Sequence, residues 1–141
     1  MLFLLCLSVL LSCKKQSSMP TKMTVQVTGD STWTTTDVTT DNNQNQFLYI
    51  TGYNNTSNKT ITLNLSGYEP GGHSYAVSTN PTGTMPSSGQ SQATYTSGAN
   101  AYNASSGTVT VTNTTTKVLM GTFDFYCGNI HVTGSFSAPL P

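Results

Sequence analysis

The sequence predicts an all-β domain, either a single antiparallel β-sandwich or a small β-barrel, preceded by a short export segment. Apolar and β-branched residues alternate with polar ones in about nine short runs, which is the pattern of half-buried strands. Clusters of Gly, Pro, Asn and Asp separate these runs, and no run after residue 13 has helical periodicity. The chain is therefore too rich in patterned β-branched and aromatic residues to be disordered.

The export segment is an apolar run at residues 2–11. As a helix it spans about 15 Å, which is too short for a bilayer core of about 30 Å but suits the apolar part of a signal peptide. Leu10, Leu11, Ser12 and Cys13 resemble the lipobox of bacterial lipoproteins. The resemblance implies that the Cys13 thiol receives a diacylglyceryl group and that the mature chain starts there.

These features divide the chain into a lipoprotein signal peptide at 1–12, a lipidated tether at 13–22 and an all-β domain at 23–141. Two or more acyl chains on Cys13 hold a protein stably to a membrane without spanning it. The junction Ser-Cys-Lys-Lys at 12–15 resembles that of Bacteroidota lipoproteins, which implies an outer-membrane location in the cell envelope. Residues 14–18 lack the acidic pair that often marks surface export in that group, so the periplasmic face and the cell surface both stay open.

The domain is predicted to begin with a hairpin, because Val25 and Val27 alternate with polar residues and a Gly-Asp turn then leads to Trp33. Successive hairpins favour a meander. Residues 79–91 contain two Pro and two Gly and form the longest irregular connection, a candidate rim for a binding site. The predicted strands occupy residues 23–27, 33–38, 47–53, 61–65, 73–78, 93–95, 109–112, 119–125 and 130–136.

The pairing of the last two strands follows from Gly128-Asn129, a two-residue turn of type II′. This register leaves one face apolar, with Phe123, Phe125 and Phe136 predicted in the core, and the other face mostly polar. The apolar pairs are Cys127–Ile130, Phe125–Val132, Phe123–Gly134 and Gly121–Phe136. The polar pairs are Tyr126–His131, Asp124–Thr133 and Thr122–Ser135.

The runs beginning at Gly107, Gly121 and His131, together with the early Trp33, resemble an uncharacterised domain family of Bacteroidota lipoproteins. The resemblance implies a small all-β domain of unknown function. It carries over no activity and no catalytic residues.

Composition and motifs exclude several kinds of site. The chain has five Lys and no Arg, so it offers no basic patch for nucleic acid. His73 and His131 lack metal-ligand spacing, and we predict no metal or cofactor. Cys127 has no neighbouring cation and is predicted to be a half-buried thiol, without a disulfide partner in one mature chain.

The sequence contains few residues that could act in catalysis, five acidic residues and two histidines, so we predict that the protein is not an enzyme. Asp30, Asp37 and Asp41 lie on one strand and its flanking turns, and we interpret them as turn caps. A hydrolase would require two acids, or an acid and a histidine, converging in one cleft.

Aromatic residues and one short motif indicate possible surface roles. The tyrosines nearest to predicted loops, Tyr53, Tyr68 and Tyr102, are the candidates for a ligand surface. Asp30-Ser31-Thr32 resembles the O-glycosylation signal of exported Bacteroidota proteins, which implies a glycan on Ser31. The leading hypothesis is a lipid-anchored envelope protein serving as a structural or interaction module with an envelope-protein partner. The alternative is a lipoprotein that binds a glycan or another small ligand.

Overall fold

The computed structural model describes residues 20–43, 47–79, 86–115 and 117–141. These residues form eleven β-strands and no helix, which confirms the all-β prediction. The signal segment, the lipobox and Cys13 lie outside the described residues. The strands are β1 (Lys22–Val27), β2 (Trp33–Thr35), β3 (Val38–Asn43), β4 (Phe47–Asn54), β5 (Lys59–Ser66), β6 (His73–Val77), β7 (Gln90–Ser97), β8 (Asn100–Asn103), β9 (Ser106–Thr114), β10 (Val118–Cys127) and β11 (Ile130–Pro139).

The strands form one sheet that curls into a nearly closed barrel. Their order is β2-β1-β11-β10-β9-β6-β7-β5-β4-β3, and β8 pairs with β7 beside this path. Two side chains draw the ends of the sheet together, since Thr35 Oγ1 donates to the Tyr53 carbonyl at 2.6 Å and Thr40 Oγ1 to the Pro139 carbonyl at 2.7 Å. Of the two predicted closures, the chain adopts the barrel.

Two strands and the connectivity differ from the prediction. β3 and β8 are additional to the predicted strands, because their sequences VTTDNN and NAYN are too polar to show an alternating apolar face. The predicted meander is wrong, because β6 lies between β9 and β7 and pairs with β7 in parallel. The first strand also pairs with the last, β1 with β11.

The predicted register of β10 and β11 is confirmed at every pair, from Cys127 opposite Ile130 to Gly121 opposite Phe136. Gly128 has φ of 62° and Asn129 a negative φ, as a type II′ turn requires. Phe125 is fully buried, and Phe123 and Phe136 are buried as well. The hairpin is therefore the part of the domain that the sequence predicts best.

Side chains fill the interior of the barrel. Met23, Val25, Leu48, Ile50 and Leu63, from three different strands, have no exposed surface. Burial of such side chains stabilises the fold by roughly 1.5–3 kcal/mol each. With a packed interior, the surface left for a ligand is the outside of the barrel.

The two ends of the barrel differ in what they carry. At one end, here called the turn end, the β10–β11 turn lies beside the β1–β2 loop, and the Thr28 amide donates to the His131 carbonyl at 2.9 Å. The β4–β5 turn belongs to the same end, since Lys59, which directly follows this turn, pairs with Asp30 of the β1–β2 loop. β1 begins at the opposite end, where Lys22 lies across from Ser137.

Candidate functional site

The three tyrosines proposed from sequence lie apart and are all half-buried. Tyr53, at the end of β4, lines a surface groove of about 310 Å³, and its hydroxyl donates to Asn58 Oδ1 at 3.2 Å. Tyr102 on β8 stacks against Tyr95, with ring centroids 5.9 Å apart. Tyr68 follows β5 at the end opposite the turn end and packs against the core. The three therefore do not form one shared platform.

Asp30 connects three parts of the turn end. Lys59 Nζ on β5 lies 2.5 Å from Asp30 Oδ2, and the Tyr95 hydroxyl on β7 donates to the same oxygen at 3.0 Å. The Ser31 amide donates to Asp30 Oδ1 at 2.7 Å, so Asp30 caps its own turn as predicted. The hydrogen bond from Lys59 lowers the pKa of the Asp30 carboxyl, and burial raises the pKa of the Tyr95 hydroxyl. This arrangement holds the β1–β2 loop over the end of the barrel.

Cys127 is a buried thiol beneath this region. Its Sγ donates to the Tyr102 carbonyl at 3.2 Å, and burial raises its pKa. A thiol in this state is protonated at neutral pH and is a poor nucleophile. Its role is therefore packing, in agreement with the sequence-based interpretation.

A different group of side chains stands on the outer face of β10 and β11. The Tyr126 and His131 rings stack with centroids 4.2 Å apart and an angle of 3° between their planes. His131 Nε2 lies 2.8 Å from Asp124 Oδ1. Tyr126 is 43% exposed, more than any other large hydrophobic side chain in the described part of the chain. The histidine ring is thus supported by a second ring and oriented by a carboxylate.

A shallow pocket of about 160 Å³ lies beside His131. Its lining consists of His131 and Thr133 on β11, Gln26 on β1 and Thr28 just after β1. Because β11 lies between β10 and β1, Tyr126 covers the His131 ring from one side and the pocket lies on the other. Within the described residues, the side chains of Gln26, Thr28 and Thr133 make no hydrogen bond to protein, so their polar atoms are available to a ligand.

Hydroxyl groups continue this surface across the sheet. The strand registers place one hydroxyl residue on each of six neighbouring strands, in a single row. Two neighbouring pairs contact through their hydroxyl oxygens, Thr24 with Thr34 at 3.4 Å and Ser74 with Thr110 at 3.0 Å. From β2 to β6 the row contains Thr34, Thr24, Ser135, Thr122, Thr110 and Ser74.

The sequence contained part of the signal for this site. The Gly128-Asn129 turn placed Tyr126 beside His131, but the pocket also needs Gln26 and Thr28, which the pairing of β1 with β11 brings there. Ser31 is exposed in the β1–β2 loop. His73 and His131 lie on different strands, and no group of three or more His, Cys, Asp or Glu side chains that could hold a metal ion occurs among the described residues.

Comparison with known proteins identifies a family without assigning an activity. A protein-family model described as "Domain of unknown function (DUF6252)" matches residues 22–137, which includes ten of the strands entirely and most of β11. No curated protein and no solved structure matches the chain. The family model covers most of the sequence, and the chain therefore belongs to the DUF6252 family.

Proposed function

We propose that this protein is a non-enzymatic interaction module that is held at the cell envelope by lipid on Cys13. The anchor is supported by the apolar run at residues 2–11 and the lipobox-like Leu10-Leu11-Ser12-Cys13. In this account the protein is an outer-membrane lipoprotein of Bacteroidota type, facing either the periplasm or the medium.

The direction of the chain supports this arrangement. β1 begins at the end of the barrel opposite the turn end, and the stacked Tyr126 and His131 lie near the turn end. A lipid on Cys13 would therefore hold the barrel by one end and leave the Tyr126–His131 surface directed away from the membrane. This is the observation that carries the proposal, because an envelope receptor needs its binding surface clear of the bilayer.

The packed interior supports binding on the outside of the barrel. A barrel whose interior is filled by side chains cannot enclose a ligand, in contrast to barrels that hold one within. Asp124 and His131 do come together, but they lie on the outer face of a sheet instead of in a deep cleft. We therefore favour binding over hydrolysis for this pair.

Acyl labelling tests the anchor. Cells expressing the full chain are grown with an alkyne-tagged fatty acid, and the labelled protein is followed through membrane fractionation. We expect label and membrane association for the parent chain and for Cys127→Ala, and neither for Cys13→Ala. Equal labelling of the parent and Cys13→Ala would contradict the proposal, as would a parent chain without label.

The alternative, a glycan-binding lipoprotein, is favoured by one specific observation. The pocket beside His131 combines a half-buried flat ring with an amide and two hydroxyl groups. This alternative does not compete with the envelope anchor, because it specifies what the interaction module binds.

A further inference from the structure

We propose that the pocket formed by Gln26, Thr28, His131 and Thr133 binds one sugar ring of a neutral glycan chain. The inference rests on the proposed function in that it gives the envelope module its ligand class. The binding surface itself is defined by the barrel alone and does not depend on the lipid.

The ring of His131 is suited to stacking against the C–H face of a sugar. Tyr126 supports it from behind at 4.2 Å, and Asp124 holds Nε2 at 2.8 Å, so the ring is fixed before a ligand arrives. A preorganised ring loses little conformational freedom on binding, which favours affinity. The open side of the ring faces the pocket.

The other lining groups suit the hydroxyl groups around a sugar ring. The Gln26 amide supplies both donors and an acceptor, and each threonine hydroxyl can act in either role. Within the described part of the chain these side chains have no protein partner to displace. Sugar hydroxyl groups bound here would replace water at each of these side chains. Because the three side chains occupy set positions, they would also determine how the sugar ring is oriented in the pocket.

Size and charge narrow the ligand class. The pocket volume of about 160 Å³ is several times the roughly 30 Å³ that one water occupies and well below the roughly 300–1,000 Å³ of sites for drug-sized molecules. β1, β9, β10 and β11 contain two charged side chains, Lys22 and Asp124, and Asp124 already lies against His131. Lys22, the one lysine on these strands, lies at the end of the barrel opposite His131, so no lysine or arginine on them stands beside the pocket to neutralise a phosphate, sulfate or uronate, and a neutral sugar is the chemistry that fits.

The hydroxyl row gives the rest of a glycan chain a place to lie. Gln26 pairs with Thr133, and the next outward-facing pair on β1 and β11 is Thr24 with Ser135, which belongs to the row. A chain whose one ring occupies the pocket can therefore continue over an uncharged surface of hydroxyl groups. The complete site is best described as a single-ring pocket with a polar extension.

Calorimetry with defined hexasaccharides tests the proposal directly. The purified full-length protein is titrated with neutral cellohexaose, laminarihexaose, mannohexaose and galactohexaose, and with acidic hexagalacturonate. We expect at least one neutral hexasaccharide to bind and hexagalacturonate not to bind. Absence of binding to every neutral hexasaccharide would overturn the proposal, and so would a preference for hexagalacturonate.

Substitutions locate the site. We expect His131→Ala and Gln26→Ala to weaken binding at least about tenfold, equal to about 1.4 kcal/mol. His131→Phe keeps a flat ring and should stay within about threefold of the parent. Tyr53→Ala serves as the matched control, because Tyr53 lines a groove that shares no residue with this pocket, and should leave binding unchanged.

The outcomes separate this inference from the proposed function. Each variant is first checked for a thermal midpoint close to that of the parent, and Gln26→Ala, on an exposed position, covers the case in which His131→Ala folds poorly. Binding lost in Tyr53→Ala but kept in His131→Ala would place the sugar elsewhere and refute the inference. Failure of Cys13 labelling with intact glycan binding would instead refute only the lipid anchor.

Discussion

Phe136 on β11 lies directly opposite Gly121 on β10, and its ring occupies the space that a side chain on Gly121 would need. Gly134 and Phe123 repeat the relationship on the same hairpin. Each aromatic ring thus covers a glycine on the partner strand, a known way in which sheets stabilise glycine positions. The packing of this hairpin depends on both members of each pair.

Gly121→Ala should therefore destabilise the domain. The added methyl group would overlap the Phe136 ring and the Thr110 carbonyl, and overpacking of this kind costs about 1–3 kcal/mol. Gly72→Ala is the matched control, since its new methyl group would meet only ordinary contacts. Urea unfolding followed by circular dichroism measures both. A Gly121→Ala variant as stable as Gly72→Ala would refute the packing described for Phe136.

The Asp30–Lys59 pair should make the free energy of unfolding depend on pH in the acidic range. The pKa of Asp30 is lowered in the folded protein from its ordinary 3.8 by the Lys59 hydrogen bond, so its contribution is present above pH 3.8 and is lost as pH falls through the lower, folded value. Because the carboxylate is partly exposed, we expect a contribution of about 1 kcal/mol or less. Asp30→Asn should flatten the dependence of the unfolding free energy on pH between pH 4 and pH 2 relative to the parent. Equal pH dependence in the parent and Asp30→Asn would contradict this role.

Cys127 should react slowly in the folded protein. Burial raises the pKa of its thiol, so little reactive thiolate is present at neutral pH. The Sγ also lies against the Tyr102 carbonyl, which limits the access of a reagent. A chain carrying Cys6→Ser and Cys13→Ser has Cys127 as its one thiol and can be followed with Ellman's reagent. We expect labelling in 8 M urea to be at least about a hundredfold faster than in buffer. Comparable rates would show that the thiol is not protected.

Ser31 should carry a glycan if the Asp30-Ser31-Thr32 motif is used. The residue is exposed in the β1–β2 loop, where a modifying enzyme can reach it. Intact mass spectrometry of protein from its native host should show a mass above that of the lipidated chain, removed in Ser31→Ala and kept in Ser57→Ala, which changes another exposed serine. The lipidated mass alone would exclude the modification.

The sequence predicted what local patterns can encode. The β10–β11 register followed from one turn and two alternating runs, because strand pairing across a two-residue turn is determined by the turn itself. β3 and β8 could not be predicted in this way, since their polar residues bury no continuous apolar face. The parallel pairing of β6 with β7 likewise joins segments whose contact no local pattern indicates.

The candidate site was likewise predictable from sequence only where it depends on local pairing. Tyr126 beside His131 followed from the hairpin register, but Gln26 reaches the pocket only through the pairing of the first strand with the last. The choice of Tyr53, Tyr68 and Tyr102 rested on their closeness to loops, and a tyrosine near a loop can still pack its ring against the core, as Tyr68 and Tyr102 do. Exposure of a ring depends on the sheet around it, which sequence position alone does not reveal.

The most direct test of the account is nuclear magnetic resonance mapping of ligand contacts on the ¹⁵N-labelled protein during titration with the neutral hexasaccharides. If the module binds sugars through the outer face of β1 and β11, we expect the largest chemical-shift changes at the Gln26 side-chain amide, the Thr28 and Thr133 amides and the His131 ring. Shifts confined to the surroundings of Tyr53 or Tyr68, or no shifts with any of the sugars, would contradict it.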